Sequence, residues 1–122
     1  MKYVVIIPAH NEAQYLPGLL ESLYAQSLPA EEIIMVNDQS SDQTETIMQA
    51  AIKRNANTSY LNHSSSNDHL PGAKVVNAFN FGLKAIKADY DFIVKLDADL
   101  LLPTEYFSRI ARAFQDHKVG MA

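Results

Sequence analysis

Four mostly apolar runs along the chain predict β-strands. They cover residues 3–7, 33–36, 59–61 and 92–96. Uninterrupted apolar runs of this length are typical of strands that are buried on both faces, as in parallel sheets. The run at 59–61 is more polar than the others, so we place it at an edge of the sheet.

A helical pattern follows each of these runs. Apolar residues recur at the three- and four-residue spacings of an amphipathic helix. The predicted helices begin close to Tyr15, after Asp42, from Pro71 and near Pro103, and residues 119–122 look like the start of a further strand. This alternation predicts an α/β fold, a parallel sheet with helices on both faces.

The helices carry three more specific predictions. Leu28 and Pro29 are expected to close the first helix. Asp42 and Glu45 have the spacing of a capping box, in which each side chain bonds to a backbone N–H at the start of the helix. Gly82 lies within the third helix, where glycine costs about 1 kcal/mol relative to alanine, so we expect close packing against a neighbour.

The composition narrows the function classes. The chain has 122 residues, the length of one domain, and no cysteine, which excludes a disulfide framework, a thiolate zinc site and a cysteine nucleophile. Ten Lys and Arg against 14 Asp and Glu give a net charge of −4 without a basic stripe, so we expect no nucleic-acid partner. No apolar run reaches the roughly 20 residues of a membrane span. We expect a cytoplasmic location, including the cytoplasmic face of a membrane if a longer parent protein associates with one.

Polar and acidic residues follow three of the predicted strands. They are residues 8–12 after the first strand, 37–42 after the second and 97–99 after the fourth. Ligands of open α/β sheets bind beyond the carboxyl ends of the strands, where the strand order reverses. The sequence therefore predicts a site at this edge of the sheet.

Asp97 and Asp99 give the most specific indication of a site in this group. Residues i and i+2 of an extended chain point to the same side, so both carboxylates can converge. Two anions this close repel each other unless a cation lies between them, and Mg²⁺ or Mn²⁺ suits such oxygen ligands. The alternative is a solvated pair in a turn before Leu100. The position at the end of a buried strand favours the metal site.

The other polar candidates each have a structural alternative. Asp38 could accept a hydrogen bond from a nucleobase or a ribose, or cap the turn toward Asp42, and Asp42 itself is assigned to capping. His10 could be a base or a metal ligand, but a single histidine in a loop is more often polar surface, and we favour that role for its side chain. Lys74 could neutralise a phosphate at a helix N-terminus or be an ordinary exposed lysine.

Together these segments resemble glycosyltransferase family 2, whose members are inverting enzymes of the GT-A fold. Residues 5–12 are similar to the opening strand and Pro-Ala-x-Asn-Glu turn of the family, and residues 32–44 to its second strand and Asp-Asp-Gly-Ser-x-Asp-x-Thr segment. Asn37 and Gln39 depart from that segment, and Gln39 predicts a less tight turn because the family has glycine there. The family's basic residue, its Ala-x-Asn-x-Gly helix and its Asp-x-Asp motif are matched by Gly72, Lys74, Ala78, Asn80, Gly82, Asp97, Ala98 and Asp99.

The resemblance implies a Rossmann-like nucleotide-binding half of a GT-A glycosyltransferase with the strand order 3-2-1-4. It implies a nucleotide-diphosphate sugar as donor, usually a UDP-sugar. Pro8, Ala9 and His10 would line the base pocket, partly through backbone atoms, and Asn11 and Glu12 would complete that turn.

The remaining roles implied by the resemblance concern the ribose, the diphosphate and the metal. Asp38 would contact the base or ribose, and Lys74 would approach the base or phosphates. Asp97, with Ala98 beside it in the motif, would lie near the ribose and diphosphate. Asp99, together with Asp97, would bind the Mg²⁺ or Mn²⁺ ion that bridges the diphosphate.

The resemblance also implies features outside this stretch. Family members continue past the Asp-x-Asp helix with the acceptor site and the carboxylate that acts as catalytic base, so we expect both beyond Ala122. We therefore expect residues 1–122 to be the donor-nucleotide half of a C-terminally truncated domain, inactive alone, from an enzyme of cell-envelope polysaccharide synthesis. The outer edge of the fourth strand would then lack a partner, which predicts a homodimer through that edge.

Two other function classes stay open at this point. A binding module would hold the nucleotide and the metal without turnover. A nucleotidyltransferase of this general fold would be expected to carry a glycine-rich, basic loop after the first strand, which residues 8–12 lack apart from His10. An aspartyl phosphatase would carry its aspartates after the first strand and not after the fourth.

Overall fold

The computed structural model describes residues 1–64 and 73–117, with residues 73–75 and 116–117 described by their backbone alone. Strands and helices alternate along the chain as predicted. Their bounds are β1 Tyr3–Ala9, α1 Leu16–Tyr24, β2 Glu32–Asp38, α2 Thr44–Arg54, β3 Thr58–His63, α3 Ala73–Leu83, β4 Phe92–Lys95 and α4 Tyr106–His117. The strand predicted at residues 119–122 and the motif residue Gly72 lie outside the described residues.

The four strands form one parallel sheet with the order β3-β2-β1-β4. The predicted fold class and strand order are therefore confirmed. β1 pairs with β2 up to Ala9 opposite Asn37, and with β4 up to Ile6 opposite Lys95. The carboxyl ends of these three strands consequently open on the same edge of the sheet. β3 and β4 are the outer strands of the described sheet, and a homodimer through β4 stays a prediction.

The side chains of β1 alternate between two apolar layers. Tyr3, Val5 and Ile7 belong to a core shared with α1, α2 and α4, while Val4 and Ile6 belong to a core under α3. All five side chains are 0% exposed. Helices on both faces of the sheet explain why the apolar run in β1 shows no polar alternation.

α1 ends at Tyr24, ahead of the end predicted at Leu28. Just beyond this end, the buried Gln26 bonds to the start of α4. Nε2 of Gln26 donates to the carbonyl of Pro103 at 2.7 Å, and its Oε1 accepts the N–H of Phe107 at 3.1 Å. Both ends of this buried amide are thereby satisfied by residues far along the chain.

The predicted capping box does not form at the start of α2, whose N-cap residue is Gln43. Asp42 precedes that residue, and its Oδ1 accepts the N–H of Thr44, the first residue of the helix, at 2.9 Å. Glu45 instead accepts hydrogen bonds from the hydroxyl of Tyr60 at 3.0 Å and from Nδ2 of Asn62 at 3.1 Å. Two donors on β3 thus outcompete the local backbone, and Glu45 ties α2 to the sheet.

Gly82 is a point of direct contact between α3 and the sheet. A methyl group at this position would lie 2.8 Å from Cγ2 of Ile6 and 3.1 Å from Cγ2 of Val36. Both neighbours are β-branched side chains of buried strands and have little rotamer freedom. The close packing predicted for this glycine is confirmed.

Gly82→Ala should lower the free energy of unfolding by about 1–3 kcal/mol, because the cost of overpacking exceeds the better helix propensity of alanine. Urea denaturation followed by circular dichroism measures this change. Gly18→Ala in α1 is the matched control, since its new methyl would meet Cδ2 of Leu101 at 3.0 Å, and Leu101 is 73% exposed and can move. The control should be neutral or up to about 1 kcal/mol more stable. Equal effects of the two substitutions would contradict the close contact at Gly82.

Candidate functional site

A cleft of about 230 Å³ opens where β1, β2 and β4 end. The chain moves outward from β1 to β2 and β3 and then returns to β4 on the other side of β1, so the cleft lies where the strand order reverses. Its lining combines carboxylates with small apolar residues. It comprises Pro8, Ala9, His10, Glu12, Asp38, Ala78, Asp97, Ala98 and Asp99.

Among residues with described side chains, the cleft differs from the predicted set of site residues at two positions, Ala78 and Asn11. Ala78 lines it and is 1% exposed, although the sequence reasoning gave this residue no site role. The available signal was its position on α3, one helical turn after Lys74. Lys74 itself lies in α3, and its side chain is outside the described part of the chain. Asn11 does not line the cleft.

Asn11 stabilises the turns that border the cleft without lining the cleft itself. Its backbone has a φ of 53°, a left-handed conformation that asparagine tolerates better than most residues. Its N–H donates to Oγ of Ser40 at 3.0 Å, and its Oδ1 accepts the N–H of Ser41 at 2.7 Å. Both partners lie in the turn after β2, so Asn11 connects the turn after β1 to the turn after β2.

Two more hydrogen bonds connect the same turns. The N–H of Glu12 donates to Oγ1 of Thr44 at 2.9 Å, and the N–H of Ala13 donates to Oδ2 of Asp42 at 3.2 Å. Hydrogen bonds from the side chain and backbone of Thr44, and from Ala13, hold the pKa of Asp42 below its ordinary value. Asp42 is therefore a structural anion that connects the turn after β1 to the start of α2.

The turn after β2 keeps a glycine-like backbone without a glycine. Gln39, which stands where the resemblance implies glycine, has a φ of 55°. A left-handed backbone of this kind at a non-glycine residue costs of the order of 1–3 kcal/mol. Oδ1 of Asn37 accepts the N–H of Ser40 at 3.2 Å, and Nδ2 of Asn37 donates to Oδ1 of Asn62 at 2.9 Å. These bonds support the turn.

His10 has a partner at each ring nitrogen. Nδ1 lies 2.6 Å from the carbonyl oxygen of Asp38, and Nε2 lies 3.4 Å from Nδ2 of Asn11. The side chain is exposed, as predicted for a polar surface residue, and its ring also contacts the end of β2. Asp38 lies 28 residues from His10 along the chain, which is why the local sequence gave no signal of this contact.

Four carboxylates line the cleft, and their charges affect one another. Burial, together with the neighbouring carboxylates of Asp99, Asp42 and Asp97, raises the pKa of Glu12 above its ordinary value. Nζ of Lys95 lies 2.9 Å from Oδ1 of Asp97. Both side chains of this ion pair are partly exposed, so the pair contributes about 1 kcal/mol at most. A cation added near these carboxylates would relieve their mutual repulsion.

The donor set suits a hard divalent cation that is bound together with a ligand. Asp97 and Asp99 offer carboxylate oxygens, which Mg²⁺ and Mn²⁺ prefer. Within residues 1–64 and 73–117, no group of three or more His, Asp or Glu side chains is arranged to hold a metal by itself. The residues therefore fit an ion with one or two protein carboxylates, whose other positions are taken by water and phosphate oxygens.

A parallel sheet in this order with a polar cleft at its switch point defines a Rossmann-like nucleotide-binding class of protein. Residues 4–122 match the family model described as glycosyl transferase family 2. The chain belongs to this family, which confirms the resemblance seen in the motifs.

Two curated relatives of this chain are named as sugar transferases. The poly(ribitol-phosphate) beta-N-acetylglucosaminyltransferase TarS of Staphylococcus aureus is 31% identical over 120 residues, which cover 96% of this chain and 19% of TarS. The undecaprenyl-phosphate 4-deoxy-4-formamido-L-arabinose transferase of Serratia proteamaculans is 32% identical over 127 residues, which cover 94% of this chain and 34% of the relative. The chain thus spans about a third or less of the length of these relatives.

Solved structures of S. aureus TarS have the same fold. The complex with UDP superimposes with a TM-score of 0.77 at 29% identity, covering 97% of this chain and 33% of that one. The complex with UDP-GlcNAc gives 0.77 at 30% identity, covering 97% and 32%. The sheet of this chain therefore has the strand arrangement of the GT-A fold. Among the described helices, none is both long and apolar enough to cross a bilayer.

Glu12→Gln should raise the melting temperature at pH 7. The raised pKa of Glu12 means that its ionised form costs folding free energy, and this cost appears as the pH rises from the ordinary glutamate pKa through the folded-state value. The advantage of the variant should therefore shrink below about pH 4, where Glu12 is protonated in both states. Thermal melts between pH 3.5 and 8 provide the measurement. Glu21→Gln, at an exposed position of α1, is the control and should show a smaller difference. A destabilised Glu12→Gln protein at pH 7 would be inconsistent with this electrostatic cost.

Proposed function

We propose that residues 1–122 form the donor-nucleotide half of an inverting glycosyltransferase. The observation that carries the proposal is the cleft at the switch point, which is lined by residues of the family motifs. The proposed donor is a nucleotide-diphosphate sugar. A UDP-sugar is favoured because the similar TarS structures are complexes with UDP and with UDP-GlcNAc.

In this proposal, residues at the ends of β1 and β2 bind the base and ribose of the donor, and residues after β4 bind its diphosphate. Pro8, Ala9 and His10 line the base, partly through backbone atoms, and Asp38 accepts a hydrogen bond from the base or the ribose. Ala78 on α3 leaves room above the strand ends, because a small buried side chain lines the cleft there. Lys74 keeps its proposed role toward the base or the phosphates.

The diphosphate is proposed to lie beside Asp97, Ala98 and Asp99. Asp99 and Asp97 would hold Mg²⁺ or Mn²⁺ there, with phosphate oxygens as further ligands. When bound, the ion supplies Lewis-acid stabilisation of the departing diphosphate. Lys95 holds Oδ1 of Asp97 in its ion pair, which orients this carboxylate and partly offsets its charge.

Transfer with inversion also needs a base that deprotonates the acceptor hydroxyl. We propose that the acceptor site and this base are supplied from outside residues 1–122, so that this stretch binds the donor and does not transfer the sugar alone. A cytoplasmic location, a role in cell-envelope polysaccharide synthesis, membrane association of a longer parent protein and a homodimer through β4 are part of the same proposal.

Calorimetric titration of UDP with and without Mn²⁺ tests the proposal. Wild type should bind UDP more tightly with Mn²⁺, and Asp99→Asn should lose that gain because one carboxylate ligand of the ion is removed. Asp89→Asn, at an exposed position outside the cleft, is the matched control and should behave like wild type. Absence of metal-dependent UDP binding by folded wild-type protein would overturn the proposed donor site. Sugar transfer by this stretch alone would overturn the claim that the base lies elsewhere.

A further inference from the structure

The contact between His10 and Asp38 continues the pairing of β1 with β2. The backbone register of these strands ends with Ala9 opposite Asn37. The next pair in register would be residue 10 opposite residue 38. At this position the imidazole of His10, and not a backbone group of β1, contacts β2. Its Nδ1 lies 2.6 Å from the carbonyl oxygen of Asp38.

The partners of the ring determine where its proton lies. A carbonyl oxygen can only accept, so Nδ1 of His10 must carry the hydrogen and donate to Asp38. A partner also fixes the orientation of the Asn11 amide, because its Oδ1 accepts the backbone N–H of Ser41 at 2.7 Å. Nδ2 of Asn11 is thereby directed to Nε2 of His10 at 3.4 Å, where it meets the lone pair of the neutral ring.

These contacts form one directed chain between the two turns. It runs from the N–H of Ser41 to Asn11, from Asn11 to His10, and from His10 to the carbonyl of Asp38. Every donor in the chain faces an acceptor. The imidazole therefore offers no free lone pair for a metal ion while the chain is intact.

We propose that His10 is a positioning residue, which in its Nδ1-protonated neutral tautomer holds the end of β2 against the turn after β1 and thereby sets the place of Asp38 in the cleft. Asp38 is 6% exposed, and its neighbour on the other side is His63 of β3. Its position is thus fixed by backbone pairing on one side and by the His10 ring on the other. The consequence for nucleotide affinity rests on the proposed function, whereas the tautomer does not.

The first test reads the tautomer directly. Long-range ¹H–¹⁵N spectra of the histidines, recorded above about pH 8 so that the rings are neutral, should show one ring protonated at Nδ1 that is missing in His10→Asn. Its signals should keep their pattern when MgCl₂ is added. An Nε2-protonated ring, an average of both tautomers, or a coordination shift on adding MgCl₂ would overturn the proposal.

The second test compares two substitutions at the same position. In His10→Asn the amide nitrogen can take the place of Nδ1 and donate to Asp38, whereas His10→Leu fills similar space without a donor. Calorimetry of UDP with Mn²⁺ should give His10→Leu an affinity about three- to tenfold weaker than that of His10→Asn, as expected for one lost hydrogen bond. Titrations well below the melting temperature of each variant separate positioning from general instability.

The outcomes of the second test separate the two proposals. Wild-type affinity in His10→Leu, or an equal loss in both variants, would overturn the positioning role. If wild type itself does not bind UDP, the proposed function fails, and the tautomer spectrum still decides whether His10 connects the turns.

Discussion

The pairing of β1 with two parallel neighbours is the constraint on which the rest of the structure depends. Because β1 is central, its side chains are buried on both faces, and α3 must cover one face while α1, α2 and α4 cover the other. The same pairing brings the ends of β1, β2 and β4 to one edge. The cleft is the space left where strand pairing stops and the connecting turns diverge.

The turns that border this cleft are held by polar contacts with each other, since they lie beyond the apolar layers. Asn11, Glu12 and Ala13 after β1 bond to four residues after β2. Net hydrogen bonds of this kind contribute about 1 kcal/mol each, which offsets part of the cost of left-handed backbone at Asn11 and Gln39. The motif residues of these turns therefore determine the shape of the site, whether or not they touch a ligand.

The fold was predictable from the sequence because its signals are local. Four apolar runs and the intervening helical periods give the elements, and Gly82 within a helix indicates a close contact. The strand order came from the family resemblance, since periodicity does not report which strands are neighbours. Most lining residues of the cleft were also predictable, because they follow directly after buried strands.

The contacts that were not predicted join residues far apart in the sequence. Glu45 has the right spacing for a capping box, yet donors on β3 attract its carboxylate. Gln26, just beyond the end of α1, has partners at the start of α4. Sequence spacing indicates only hydrogen-bond partners that are near in the chain. It therefore does not predict the contacts of a side chain whose partners are distant. His10 and Asn11 are cases of the same kind at the cleft.

The carboxylates near the cleft differ in whether hydrogen bonds from other residues already hold them. The carboxylate of Asp42 is not placed to bind a ligand, because hydrogen bonds from Thr44 and Ala13 already occupy its oxygens. Glu12 and Asp99 stay close enough for their charges to interact unfavourably. A folded protein retains such a repulsion only at a cost in stability, and sites that bind cations are where this cost is commonly found. The cation proposed at the acidic edge of β4 would offset this repulsion when bound.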